Sequence, residues 1–190
     1  MERVTEILAF WLDEIGPRGW YSVDPVLDQQ IRDKFMDTWQ SACEGNHSLW
    51  LTYPSGALAY TILLDQFPRN MFRGDAQAFA SDPIALTAAK ISIDHGWDLK
   101  IDEPARQFFY LPLMHSENLC DQERCVRLMS ERMPQSDSNL LHAKAHRKVI
   151  REFGRFPYRN DALDRRTSAN ERDFIDQGGY GHAVRQLQAG

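Results

Sequence analysis

The sequence predicts an all-α protein of about eight helices. Apolar residues recur at three- and four-residue steps through most of its 190 residues. Proline and glycine stand where helices start and stop. No segment carries a sustained two-residue alternation of the kind that marks a half-buried strand.

Val4, Ile7, Leu8, Trp11 and Ile15 make the first stripe, and Gly16-Pro17 is expected to end that helix. Asp24-Pro25 is an N-cap followed by proline at the first helical position. Leu27, Ile31, Phe35, Trp39 and Ala42 follow on one face, and Gly45 closes the helix. The next helix, over residues 55–66, is apolar on nearly every side through Ala57, Leu58, Ala59, Ile62, Leu63 and Leu64, which predicts a central position. Asp82-Pro83 opens another, ending near His95-Gly96. Asp102-Glu103-Pro104 opens one through Phe108, Phe109 and Tyr110, which Pro112 must break or kink. A long helix is expected over 117–133, stopped by Pro134, and another over 139–153, stopped by Gly154. Ser168-Ala169-Asn170-Glu171 matches a capping box ahead of Phe174-Ile175, and Gly178-Gly179 terminates that piece. Connections are short and no low-complexity linker divides the chain. The expectation is one domain over 1–190, built of stacked antiparallel helix hairpins. No fixed repeat period is present.

Composition narrows the function classes. Hydrophobic residues are 43% and charged residues 26%, ordinary usage for a soluble globular protein. A net charge of −5 and a pI near 5.7 argue against a nucleic-acid binder. The charged N-terminus lacks a signal-peptide layout. The longest apolar stretch, residues 56–64, falls far short of the ~20 residues that span a bilayer. An odd set of three cysteines (Cys43, Cys120, Cys125) without metal-type spacing fits reduced thiols and a cytoplasmic location.

The polar residues at helix ends point to a site. Phe67-Pro68-Arg69-Asn70 and Phe156-Pro157-Tyr158-Arg159-Asn160 each follow a helix-like apolar run and put an Arg and an Asn after a proline. At about 100° per residue, His146 falls about 40° from His142, between Val149, Ile150 and Phe153. Lys144, Arg147, Lys148 and Arg151 form the opposite, solvent face. Two inward histidines need polar partners, and their spacing also suits two ligands to one metal, with His115 or Glu117 as a possible third. Asp65, near the end of the most apolar helix, requires a cation, for which Arg69, Arg73 or Arg159 are the candidates. Such a pair is either a lock between helix end and loop or a way to present arginine donors to a carboxylate or phosphate. His115 and Glu117, just after Pro112, are general acid/base candidates. Glu117 is also placed to offset the dipole of the helix that follows. Trp50, Tyr53, Trp97 and Tyr180 lie off the main stripes, as packing residues or pocket walls. No phosphate loop, dinucleotide glycine fingerprint, dense zinc signature or activated nucleophile is visible, so no cofactor is assigned.

The segment 64–74 (LDQFPRNMFRG) resembles the signature block of a bacterial family numbered 924 among domains of unknown function. Residues 108–117 (FFYLPLMHSE) resemble a second block of that family, and 142–146 (HAKAH) with 153–160 (FGRFPYRN) a third. The similarity runs from Ile7-Leu8-Ala9-Phe10-Trp11 to Gly178-Gly179. It implies an all-helical, tetratricopeptide-like fold and no assignable activity. One departure is Tyr158, where the family often carries His; a metal ligand at that position would be lost, while a hydrogen-bond donor would be kept.

Three functions follow from these readings. The first is a pocket of Asp65, Arg69, Asn70, Arg73, Arg155, Arg159 and Asn160 with His115, Glu117, His142 and His146, binding a small phosphorylated or carboxylated anion. The second is a helical module for a peptide or protein partner. The third is a metal-assisted hydrolase using His142 and His146. None involves nucleic acid or membrane.

Overall fold

In the computed structural model, which describes residues 2–189, the chain is helical throughout and forms no strand among the described residues. Its residues group into two compact units, Met1–Pro112 and Leu113–Gly190.

The first unit is organised around a buried helix. α1 (Glu2–Leu8) runs into a π-helical turn at Ala9–Ile15, and α2 (Gly16–Gly19) is a single turn beyond it. Gly16 ends the first stripe as expected, at φ 62°, but Pro17 then opens α2 rather than a loop. α3 (Pro25–Cys43) is capped by the Asp24 side chain, which accepts from the backbone N–H groups of Val26 and Leu27. α4 (Pro54–Thr61) buries every residue from Gly56 to Thr61. Only glycine fits at 56, because a Cβ there would stand 2.4 Å from the Trp50 carbonyl oxygen and against the Tyr53 ring.

The expectation that Phe67-Pro68 ends this helix is corrected. α4 widens into a π-helical turn at Ile62–Gln66 and continues as α5 (Phe67–Met71). The wide turn bonds the Phe67 N–H to the Ile62 carbonyl, so the ladder changes register just where Pro68 can donate nothing. α6 (Asp82–Asp94) follows as predicted. The run after Asp102-Glu103-Pro104 is a 3-10 segment, Ala105–Phe109, rather than an α-helix. Trp11, Phe35, Phe67 and Phe108 fill the centre with fully buried rings; Phe35 and Phe67 lie 4.8 Å apart and Trp11 and Phe67 5.5 Å apart.

α7 (Leu111–His115) leads into the second unit. The run through Phe108 and Phe109 ends ahead of Pro112 as expected, and Pro112 stands in the first turn of α7, where its missing N–H forgoes no helical partner. α8 (Leu119–Arg132) is capped by Asn118, so Glu117 lies outside the helix and not in its first turn. α9 (Asp137–Phe153) packs along α8 and ends at Gly154 in the left-handed conformation, φ 70°. α10 (Ala169–Asp176) has both halves of the predicted Ser168–Glu171 capping box. Gly178-Gly179 stops α10 but also starts α11 (Gly179–Gln188), a helix absent from the sequence reading, which packs against α9 and brings Tyr180 with it.

Candidate functional site

The predicted site residues fall into two sets by unit. Asp65, Arg69, Asn70 and Arg73 belong to the first. His115, Glu117, His142, His146, Arg155, Arg159 and Asn160 belong to the second.

In the first unit the polar residues hold one another. Asp65 is 1% exposed; it accepts from Gln66 Nε2 at 2.5 Å and faces Arg69 Nη1 at 3.4 Å. The same guanidinium grips Asp82 with two parallel bonds of 2.9 and 3.0 Å. Asn70 donates to Asp28 at 2.9 Å, and Arg73 reaches both oxygens of Asp28 at 2.9 and 2.8 Å. Burial alone would raise the Asp28 carboxyl, but its bonds to Arg73 and Asn70 override that and hold it below its usual range. Arg69, Asn70 and Arg73 thus tie the end of α5 to the starts of α6 and α3. Of the cations open to Asp65, Arg69 is the partner. Asp28 was invisible as a partner in the sequence, beyond being an acidic residue in a helix's first turn.

The second unit divides into a lock and a cluster. The lock is centred on Glu117. Its carboxylate accepts from the Phe156 N–H at 2.8 Å and takes a bidentate grip from Arg165 at 2.8 and 3.0 Å. Burial would raise Glu117; the Arg165 guanidinium and the Phe156 N–H lower it further than that, leaving it ionised. With both oxygens committed, Glu117 is neither a helix-dipole residue nor placed as a proton donor. Arg165 also donates to Asn160 Oδ1 at 3.0 Å. Arg155 binds both oxygens of Glu171 at 2.6 and 2.9 Å, which brings that carboxyl down to about 2. Arg155 and Asn160, expected to meet a ligand, therefore brace the loop after α9. Arg165 and Glu171 carry this lock and were missed as site residues: the Arg165–Glu117 pair closes over 48 residues, and no local pattern announces it.

The cluster meets the lock at Phe156, whose N–H bonds Glu117 and whose ring packs on His146. His142 and His146 sit on one face of α9, as the spacing predicts. His146 Nδ1 lies 2.9 Å from the His142 carbonyl oxygen, which can only accept, so Nδ1 carries the proton and Nε2 presents a lone pair. Nε2 has no hydrogen-bond partner among the described residues. The ring packs between Tyr180 (4.6 Å between centroids) and Phe156 (5.5 Å), with His115 at 6.2 Å. His142 Nδ1 meets the Tyr180 hydroxyl at 2.5 Å. The Arg159 guanidinium lies 4.5 Å over the Phe156 ring. Burial, then the nearby charge of His115, push His146 down to about 3 against the opposing bond to the His142 carbonyl, with Arg159 and His142 adding less. Burial lowers His142 and raises Tyr180. His115 is positioned by Gln122, whose amide donates to the carbonyls of Met114 (2.6 Å) and Ser116 (2.7 Å).

The metal expectation is corrected at its third ligand. Among the described residues no three His, Cys, Asp or Glu side chains are placed to share an ion. Glu117, one of the two candidates for a third ligand, is spent on Arg165.

Comparison with known proteins agrees with this architecture. The model of a family of bacterial proteins of unknown function, DUF924, matches residues 7–179. The solved structure of a protein of unknown function from Agrobacterium tumefaciens superposes with a TM-score of 0.87 at 38% identity, covering 92% of this chain and 97% of that one. No curated protein matches.

Proposed function

The chain belongs to that bacterial family, whose function is unknown, and we propose from its site that it binds a small carboxylated or phosphorylated anion that also carries a hydroxyl. The observation behind this reading is the open Nε2 of His146, fixed as an acceptor by its own helix, beside the Arg159 cation. An acceptor and a guanidinium set in aromatic walls suit a ligand with one O–H donor and one anionic group. Tyr180, Phe156 and His115 supply walls that strengthen both interactions by thinning the water around them.

Binding fits these residues better than proton abstraction. A general base works best with a pKa near the operating pH, whereas His146 protonates only near pH 3 and is a weak base at neutrality. Citrate and glycerol phosphate are suitable probes, because each joins a hydroxyl to an anion, and succinate is the control that lacks the hydroxyl. Either probe at about 100 times its Kd stabilises the protein by about 2.7 kcal/mol in a thermal-shift assay. The expected order is citrate or glycerol phosphate above succinate, with the response lost in Arg159→Gln and in His146→Phe. Equal stabilisation of the wild type and both variants contradicts the reading.

A further inference from the structure

The solvent face of α9 carries a second feature, unconnected with His146. Lys144, Arg147, Lys148 and Arg151 recur at three- and four-residue steps and line, with Glu152 and Leu187 of α11, a cleft of about 360 Å³. The stripe extends about 10 Å along the helix, seven residues at 1.5 Å each. This positive charge runs against the chain as a whole, whose net charge is −5.

The four cations are held in two different ways. One carboxylate, Glu123 of α8, grips both arginines: it meets Arg147 at 2.9 Å and Arg151 by a shorter contact. A single anion between two guanidiniums fixes their direction while leaving one positive charge over. Lys144 and Lys148 make no hydrogen bond or ion pair among the described residues. The cleft therefore combines pre-set planar donors with two mobile point charges, and keeps a surplus of two positive charges after Glu123 and Glu152 are counted.

We infer that this cleft binds a linear phosphate chain, a di- or triphosphate. Cations repeating along about 10 Å match phosphates repeating along an extended chain, where a compact anion would engage only one end. The cleft's volume falls within the roughly 300–1,000 Å³ of small-molecule sites. Leu187 gives the cleft one apolar wall, suited to the edge of whatever group the chain is attached to.

Isothermal titration with inorganic tripolyphosphate tests this, against orthophosphate and a hexaglutamate peptide as comparisons. The expected result is tripolyphosphate binding at least about tenfold tighter than either, with affinity falling steeply as salt rises. Lys144→Gln/Lys148→Gln should weaken it at least about tenfold with unchanged circular dichroism, since neither lysine holds another part of the fold. Arg159→Gln should leave it intact, which separates this site from the one beside His146. Unchanged tripolyphosphate affinity in the double lysine variant, or equal or tighter binding of hexaglutamate or orthophosphate, overturns the inference.

Discussion

The two proline-centred segments look alike in sequence and do different work. In the first, Phe67-Pro68 continues a helix, and Arg69, Asn70 and Arg73 all close onto Asp82 and Asp28. In the second, Phe156-Pro157 follows a left-handed Gly154, and Pro157–Arg159 makes one 3-10 turn. There Arg155 and Arg165 do the bracing, and Arg159, shifted by the extra Tyr158, lies over the Phe156 ring beside His146. The charge differs as well. The first unit carries 9 Lys and Arg against 16 Asp and Glu; the second carries 13 against 11. Arginines are drawn into ion pairs in both units, and the first has the larger excess of carboxylates.

The largest effect should come from breaking the second lock. Glu171 is 4% exposed, and Arg155→Ala strands its carboxylate, so this should destabilise the protein more than Arg69→Ala, Tyr180→Phe or Arg73→Ala. Urea denaturation reads this directly; an unchanged midpoint would mean the loop is not braced there. Acid comes next. His146 protonates at about 3 when folded and near 6.5 when unfolded, so the unfolded chain binds more protons between those values. Stability from this group is complete above pH 6.5 and declines as pH falls towards 3, by up to about 5 kcal/mol in all. His146→Phe should flatten that decline. Glu171 adds a further loss below pH 4.5, because its folded value is about 2.

Smaller effects sharpen the contrast in the first unit. Arg69→Ala removes the guanidinium that faces the buried Asp65 and grips Asp82, and should cost about 2 kcal/mol. Tyr180→Phe removes one hydroxyl from His142 and should cost about 1 kcal/mol while changing the His142 titration. Arg73→Ala should cost under about 1 kcal/mol, because that guanidinium is 40% exposed and surface pairs are weak. If Arg73→Ala costs more than Arg155→Ala, the contrast between the two segments is wrong.

How legible this was depended on the range of the forces. Caps and stripes are local, so α3, α6, α9 and the Ser168–Glu171 box could be read from adjacent residues. So could the inward pair His142 and His146, which rests only on helical period. The π-helical turn at Ile62–Gln66 could not, because propensity treats Pro68 as a stop and the register change that admits it depends on packing around Phe67. α11 was hidden by its glycine-rich start. The ion pairs of Glu117, Asp28 and Glu171 join residues 16 to 48 apart, and sequence offers several cations to each carboxylate. Site residues were therefore found as a group, while their division into braces and open groups required the fold.

His146 is neutral, protonated on Nδ1, and open at Nε2. Long-range ¹H–¹⁵N correlation of ¹⁵N-histidine protein across pH tests it most directly. The expected result is a protonated Nδ1 and an unprotonated Nε2 at neutral pH, no titration of His146 above pH 4, and a shift of Nε2 on adding citrate that Arg159→Gln abolishes. A His146 that titrates near 6.5, or carries its proton on Nε2, would contradict it.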